Sequence, residues 1–499
     1  MKQLIFFLLT TTLLWAQTVH FSIAANPSRF NPILATDSAS SAITRWIFNG
    51  LLKYDKEGNI VPDLAKSYTF LSPTLLEFRL REDVRWSDGV PFTAKDVLFT
   101  FETILSPEVF TPYSSGFTHV ESVRVVDDFT LHVTYKTPYF KALELWMMEV
   151  LPYHLLKDEE ALMTSRFNQA PVGTGPYLLE TFSLSKSIVL RANPDYFEGE
   201  PKPKRLVFHF LPDTATEFMM LRSHKLDVGT VTPLQYERQL DGRFHDFYAV
   251  HESIAHSYAY VGLNLEDPKF QDLRVRQALS LAIDRQELVD ILLFGRGEVC
   301  TGPFLPRTNA FNPSVKAPVQ DIQKAKALLA EAGYTEENPL HFTLSASSGS
   351  RAAMAEVLQH QLAKAGIQMR IRVMEWQAFL NTVILPRRFE AVLLAWNLGL
   401  KSDAYGIWHS ESIRKGGFNF VGYRNEVVDR LIKEAEQTVD EERFGEIYRE
   451  IFAHIAHDVP YLFLYIPHSL SAVNRAVRPV EPSLVGILHN VTAWEKIER

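Results

Sequence analysis

Between His341 and Trp396 the chain alternates in order. A strand at His341–Ser345 is followed by a helix over Arg351–Ala365, a strand over Ile367–Val373, a helix over Trp376–Leu385 and a strand over Glu390–Trp396. Strands interleaved with helices pair in parallel, because each crossover helix must pack back onto a face of the sheet. Gly366 stands where the first of these helices has to stop, since glycine adopts a left-handed terminal conformation at little cost. The segment therefore demands an α/β lobe built on a largely parallel sheet.

That lobe uses a small part of 499 residues, and a single core does not grow to this size, so at least two domains are expected. A hydrophobic share of 46% and a charged share of 22% are those of a globular chain. A formal charge of −8 argues against binding to a phosphate backbone, which needs concentrated positive charge, so no nucleic-acid partner is expected. The opening MKQLIFFLLTTTLLWAQT has Lys2, an apolar core from Leu4 to Trp15 too short to span a bilayer comfortably, and the small residue Ala16. It reads as a cleavable signal peptide over residues 1–16, with Leu14 leaving the cut site open. The one cysteine, Cys300, can form no internal disulfide, lies far from a lipid-attachment (lipobox) position and reads as a buried small hydrophobe. An exported, disulfide-free protein of a Gram-negative periplasm is expected.

Elsewhere the elements are local. Leu76, Phe78 and Leu80 alternate with Glu77 and Arg79 as in a half-buried strand, and Ser87-Asp88-Gly89 is a turn. Thr93 with Asp96 has the form of a capping box, followed by Val97, Leu98, Phe101, Ile104 and Leu105 at helical spacing. Thr118–Tyr135 reads as paired strands. Pro171–Tyr177 is a Pro/Gly turn at which the chain can cross between lobes. Asp272 and Asp284 stand as caps of successive helices, Ile322–Ala332 forms another with Gly333 as its stop, and Glu441–Ala456 precedes an apolar strand at Tyr461–Tyr465.

No motif of catalysis emerges. His251-Glu252-Ser253-Ile254-Ala255-His256 has one residue too many for two imidazoles to share a helical face over a metal. No Gly-x-Ser-x-Gly elbow is present, and Gly173-Thr174-Gly175 is followed by Pro176 where a dinucleotide-binding helix would begin. No catalytic residue, metal or cofactor is expected. A crevice for a ligand fits better, since ligands of open α/β sheets sit beyond the carboxyl ends of the strands. Trp396 falls at such an end and Asn397–Tyr405 forms the loop beyond it. The indole either covers a bound solute or fills the core, and Asp403 either faces the crevice or caps a short helix over Ala404–His409. Trp376, just after a strand end, carries the same two readings.

The block Asp63–Thr103 resembles the signature of family 5 of the bacterial extracellular solute-binding proteins, which deliver peptides and related solutes to ABC importers. Asn31-Pro32, Pro171–Tyr177, Asn193–Phe197, the run FQDLRVRQALSLAIDR from Phe270 to Arg285, the helix DIQKAKALLAEAGY, Glu375-Trp376 and the Trp396 loop resemble further landmarks in the same order. The resemblance implies a two-lobed periplasmic binding protein of the Venus-flytrap, type II-like class with an extra inserted α+β domain. Residues 17–42, 166–253 and 470–499 would form lobe I, 43–165 the inserted domain, and 254–469 the second ligand-binding lobe. It also implies capture of a peptide by hinge closure, a monomer, delivery to a permease pair in the inner membrane, and no turnover.

For the site, the resemblance implies Thr36 and Ser38 on the first lobe, Tyr260 and Asn264 near the crossover, and Trp376, Trp396, Asn397, Asp403 and Tyr405 on the second lobe. Peptide-binding members clasp the ligand's amine with an aspartate three residues after the strand-end tryptophan. Here that position is Gly399, and the nearest acid is Asp403. No arginine matches the one that holds the ligand carboxylate in dipeptide receptors. An oligosaccharide, a glutathione-like conjugate, a metal chelate or haem therefore stand beside peptide as ligands. A secreted hydrolase and a periplasmic chaperone or signalling receptor are the readings outside this class.

Overall fold

The computed structural model describes residues 17–35, 37–111, 113–159, 161–414 and 417–497. The expected signal peptide and Thr36 lie outside them. Among the described residues no helix is long and apolar enough to cross a membrane. The chain divides into two compact units, residues 1–252 with 470–499, and residues 253–469, so it passes between them at two points.

Besides two short two-stranded pairs, the first unit holds two larger groups of strands. In one, β1 (Thr18–Ile23) is the first described strand, and helix α1 (Ser38–Ile47) comes after it in the chain. In the other, β2 (Ala65–Ser72) and β3 (Leu75–Leu80) form a hairpin. The alternation at Leu76, Phe78 and Leu80 is met by a buried face on β3. Helix α2 (Ala94–Leu105) follows the Gly89 turn, where φ is +90°. The Asp96 carboxylate accepts from the Thr93 N–H at 2.8 Å and from Tyr153 N–H at 2.9 Å, so this cap also anchors a distant loop. Strands β4 (Val120–Asp127) and β5 (Thr130–Tyr135) complete this antiparallel sheet in the order β2-β3-β5-β4. It lies wholly within residues 43–165.

The first sheet is completed by β6 (Tyr177–Ser183), β7 (Ser187–Ala192), β8 (Arg205–Phe210) and β9 (Val228–Thr230), in the order β9-β1-β8-β7-β6. The Pro171–Tyr177 turn does not carry the chain between the two units. It packs on the end of α1, where Gly175 N–H donates to Ile47 O at 2.8 Å. A Cβ on Gly173 would lie 1.9 Å from that same oxygen, which explains glycine there by close approach of two backbones.

The second unit is the α/β lobe. Its elements are β10 (Ser257–Leu263), α3 (Leu273–Leu281), α4 (Arg285–Leu293), β11 (Gly297–Val299), α5 (Ile322–Glu331), β12 (His341–Ser347), α6 (Ser350–Lys364) and β13 (Gln368–Met374). A short helix α7 (Trp376–Phe379), β14 (Ala391–Asn397), α8 (Tyr405–Trp408), α9 (Glu426–Glu436), α10 (Glu441–Asp458) and β15 (Tyr461–Asn474) follow, the last running on from residue 470 into the first unit. β12 pairs in parallel with β13 and β14, and β10 runs antiparallel between β14 and β15.

One face of this sheet packs on α3, α4 and α6 through Leu279, Leu288, Leu344, Leu358, Leu362 and Leu393, all nearly fully buried. Each such leucine contributes roughly 1.5–3 kcal/mol of burial, which makes this face the rigid base for the other. The expected helix Trp376–Leu385 stops at Phe379 and continues as a wider π turn over Leu380–Ile384. The apolar strand expected over Tyr461–Tyr465 extends to Asn474.

Candidate functional site

Because β12, β13 and β14 are parallel, their carboxyl ends at Ser347, Met374 and Asn397 share one edge of the second unit. Trp376 follows the end of β13 and stands 42% exposed. The Glu375 carboxylate fixes its position by accepting from Gln377 N–H at 2.8 Å and Ala378 N–H at 3.1 Å. Arg351, in the first turn of α6, sets its guanidinium 5.9 Å from the Trp376 ring centroid and donates to Ser347 Oγ at 3.4 Å. A cation and an indole thus stand together beyond the strands.

Trp396 is half-buried in an aromatic wall. Its ring lies nearly parallel to Tyr260 (6.2 Å, 10°) and Phe420 (5.9 Å, 7°), and edge-on to Phe418 (5.9 Å, 76°). Its Nε1–H donates to Tyr461 Oη at 3.3 Å. Tyr461 in turn stacks on Tyr260 at 3.9 Å and packs on the buried Trp408. Burial pushes the Tyr461 phenol up to about 12, so it stays neutral at physiological pH. Phe418 remains 54% exposed, leaving an apolar surface for a solute.

The loop beyond β14 is ordered by its own bonds. Asn397 is exposed at the strand end. Asp403 is also exposed, and its carboxylate accepts from Tyr405 N–H at 3.1 Å, the backbone donor at the start of α8. Tyr405 stacks on His409 at 4.6 Å and donates its hydroxyl to Glu411 at 2.7 Å. Burial and the adjacent Glu411 charge raise the Tyr405 phenol to about 12. The Tyr405 hydroxyl and the Lys433 ammonium, 3.0 Å from the carboxylate, hold Glu411 down to about 2.

Trp376, Trp396 and Asn397 thus stand at the strand ends, Asp403 and Tyr405 follow in the loop beyond β14, and Tyr260 lies beneath Trp396 at 1% exposure. Asn264 does not join them. The register pairs Ser257 with Asn397 and Leu263 with Ala391, so Asn264 sits at the opposite end of the strand pair, donating to Phe389 O at 2.9 Å. In the first unit, Ser38 is the exposed first residue of α1. The group that caps α1 is Asp37, which accepts from Ser40 N–H at 2.8 Å and from the Ser40 and Ser28 hydroxyls, each at 2.6 Å. Burial raises this carboxyl, but the serine hydrogen bonds prevail and hold it below the usual range. Arg351, Phe418, Phe420 and Tyr461 were absent from the sequence-derived set. The alternation Phe418-Asn419-Phe420 was the available signal for two of them.

Residues 59–417 match the pattern of the family described as "Bacterial extracellular solute-binding proteins, family 5 Middle". The chain is 31% identical to the oligopeptide-binding protein AppA of Bacillus subtilis over 489 residues, 94% of this chain and 89% of that one. The structure of Bacillus subtilis AppA in complex with a nonapeptide superposes with a TM-score of 0.83, 29% identity and coverage of 96% and 99%. NikZ of Campylobacter jejuni, in complex with Ni(L-His), superposes with a TM-score of 0.84 at 25% identity, covering 96% of this chain and all (100%) of that one. The chain belongs to the bacterial extracellular solute-binding proteins, family 5.

Proposed function

We propose that the chain is the periplasmic substrate-binding protein of an ABC importer, that it captures peptides by closing two lobes on them, and that it hands them unaltered to a permease pair in the inner membrane. The observation that carries the reading is the half-exposed aromatic wall of Trp396 and Phe418 at the strand ends of the second unit. Such a wall accepts varied apolar side chains without demanding one, which suits a receptor holding a peptide through its main chain. The similarity to an oligopeptide-binding protein over nearly the whole chain supports the same ligand class. In this reading residues 17–42, 166–253 and 470–499 form lobe I, 43–165 an inserted domain and 254–469 the second lobe. The protein acts as a monomer, with Ser38, Trp376, Trp396, Asn397, Asp403 and Tyr405 toward the ligand. Closure is driven only by a ligand that gains contacts in the closed state.

A second reading is favoured by the likeness to NikZ, whose complex holds a nickel chelate. Mass spectrometry of ligands carried out of the periplasm by the purified protein separates the two. Peptide masses are expected, and chelate or sugar masses alone would overturn the peptide assignment.

A further inference from the structure

Inside the second unit, at the margin of β15, lies a cavity of about 500 Å³ that the aromatic wall does not explain. It is bounded by α3, the start of α4, the loop around Val315–Pro318, α5 and the end of α10. Its size is that of pockets that enclose small organic molecules. Leu281, Val315, Leu328 and Phe463 supply apolar walls.

The charge of the lining is one-sided. Arg285, Lys316 and Lys324 contribute to it, no aspartate or glutamate lines it among the described residues, and the lining His457 has its Nδ1 3.2 Å from Asp458 Oδ1. Arg285 is only 5% exposed. Its guanidinium donates to Phe463 O at 2.7 Å, Ser280 O at 3.0 Å, Pro318 O at 3.3 Å and Ser280 Oγ at 2.7 Å, all neutral acceptors. The nearby Asp284 carboxylate is engaged by Glu287 N–H at 3.0 Å as the cap of α4. Taking a cation out of water without a paired anion is costly, and here the cation borders an open volume. Thr301 Oγ1, also in the lining, is buried with no hydrogen-bond partner. Lys316 and Lys324 are exposed, placing positive charge where an anion would enter.

We propose that this cavity is a second ligand site, bordering the strand-end wall only through Tyr461, that takes an apolar monocarboxylate, with the carboxylate on Arg285 and the hydrocarbon against the leucine and phenylalanine walls. The lysines draw the anion in, and Thr301 completes the polar end.

Calorimetry of the whole protein with octanoate, and with octanol as its uncharged counterpart, tests this. Octanoate is expected to bind once, at least tenfold more tightly than octanol, and without competition from a pool of peptides. The double substitution Lys316→Glu with Lys324→Glu alters only exposed side chains and should weaken octanoate at least tenfold. Leu281→Trp, which fills the cavity, should abolish binding. Absence of saturable binding would overturn the proposal. So would equal affinity for octanol, full affinity in the lysine variant, or displacement of octanoate by peptide.

Discussion

The Trp396 indole donates its only N–H to the Tyr461 hydroxyl, and Tyr461 stacks on Tyr260, so two tyrosines from two other strands hold the indole in one orientation. Trp396 is therefore both part of the fold and a half-exposed surface. Trp396→Ala should cost about 2 kcal/mol of stability, less than a fully buried tryptophan, and reduce peptide affinity about tenfold or more. Trp396→Phe should restore most of the affinity while still lacking the Tyr461 bond. Urea unfolding paired with calorimetry checks both quantities.

Gly399 occupies the position where peptide-binding members are expected to carry the amine clasp. A Cβ there would meet only Lys401 O, at 3.7 Å, so the backbone accepts a side chain without displacement. Gly399→Asp should leave the melting temperature unchanged and strengthen binding of peptides with a free amino terminus relative to acetylated ones by about tenfold, the worth of one charge-assisted bond. An unchanged ratio in competition binding would remove amine clasping from this loop.

The close approach at Gly173 makes a prediction about the fold alone. With a Cβ placed 1.9 Å from Ile47 O, Gly173→Ala must push α1 or the turn aside and should destabilise the protein by about 3 kcal/mol. Gly242→Ala, where an added Cβ meets nothing within 4 Å, is the matched control and should be close to neutral. Chemical denaturation of the two variants provides the comparison.

Stability should fall with acid through His20. Its Nδ1 lies 3.0 Å from His209 Nε2 on the neighbouring strand, a contact that requires one ring to accept, and so to be unprotonated there. Burial lowers the His20 pKa most, Asp227 opposes it, and Lys496 and His209 add to the lowering, bringing it to about 4 from 6.5. Above pH 6.5 the ring is neutral in both folded and unfolded chains, so its contribution is fully present. Between pH 6.5 and 4 only the unfolded chain takes up the proton, and up to about 3 kcal/mol is lost. His20→Gln should flatten this decline in urea midpoints measured across that range.

Much of the architecture was legible because it is local. The alternation at β3, the Asp284 cap and the glycine stops at 333 and 366, with φ of +91° and +82°, are all short-range signals. The order β12-α6-β13 followed from hydrophobic period and length. The π turn after Phe379 was not legible, since apolar spacing hardly separates i+4 from i+5 hydrogen bonding. Pro467, His468 and Ser469 hid the continuation of β15, because proline and polar residues signal a strand end. The aromatic wall joins residues 258–260, 396, 418–420 and 461, and only tertiary pairing brings such positions together. The antiparallel register of β10 similarly decided where Asn264 falls.

The proposed closure of two lobes on a peptide that is later released chemically intact is open to measurement in solution. Small-angle scattering of the purified protein, with and without a defined peptide pool, followed by mass analysis of the recovered peptides, tests it directly. A smaller radius of gyration with peptide and unaltered peptide masses are expected. Superimposable curves with every peptide, or any cleaved product, would contradict it.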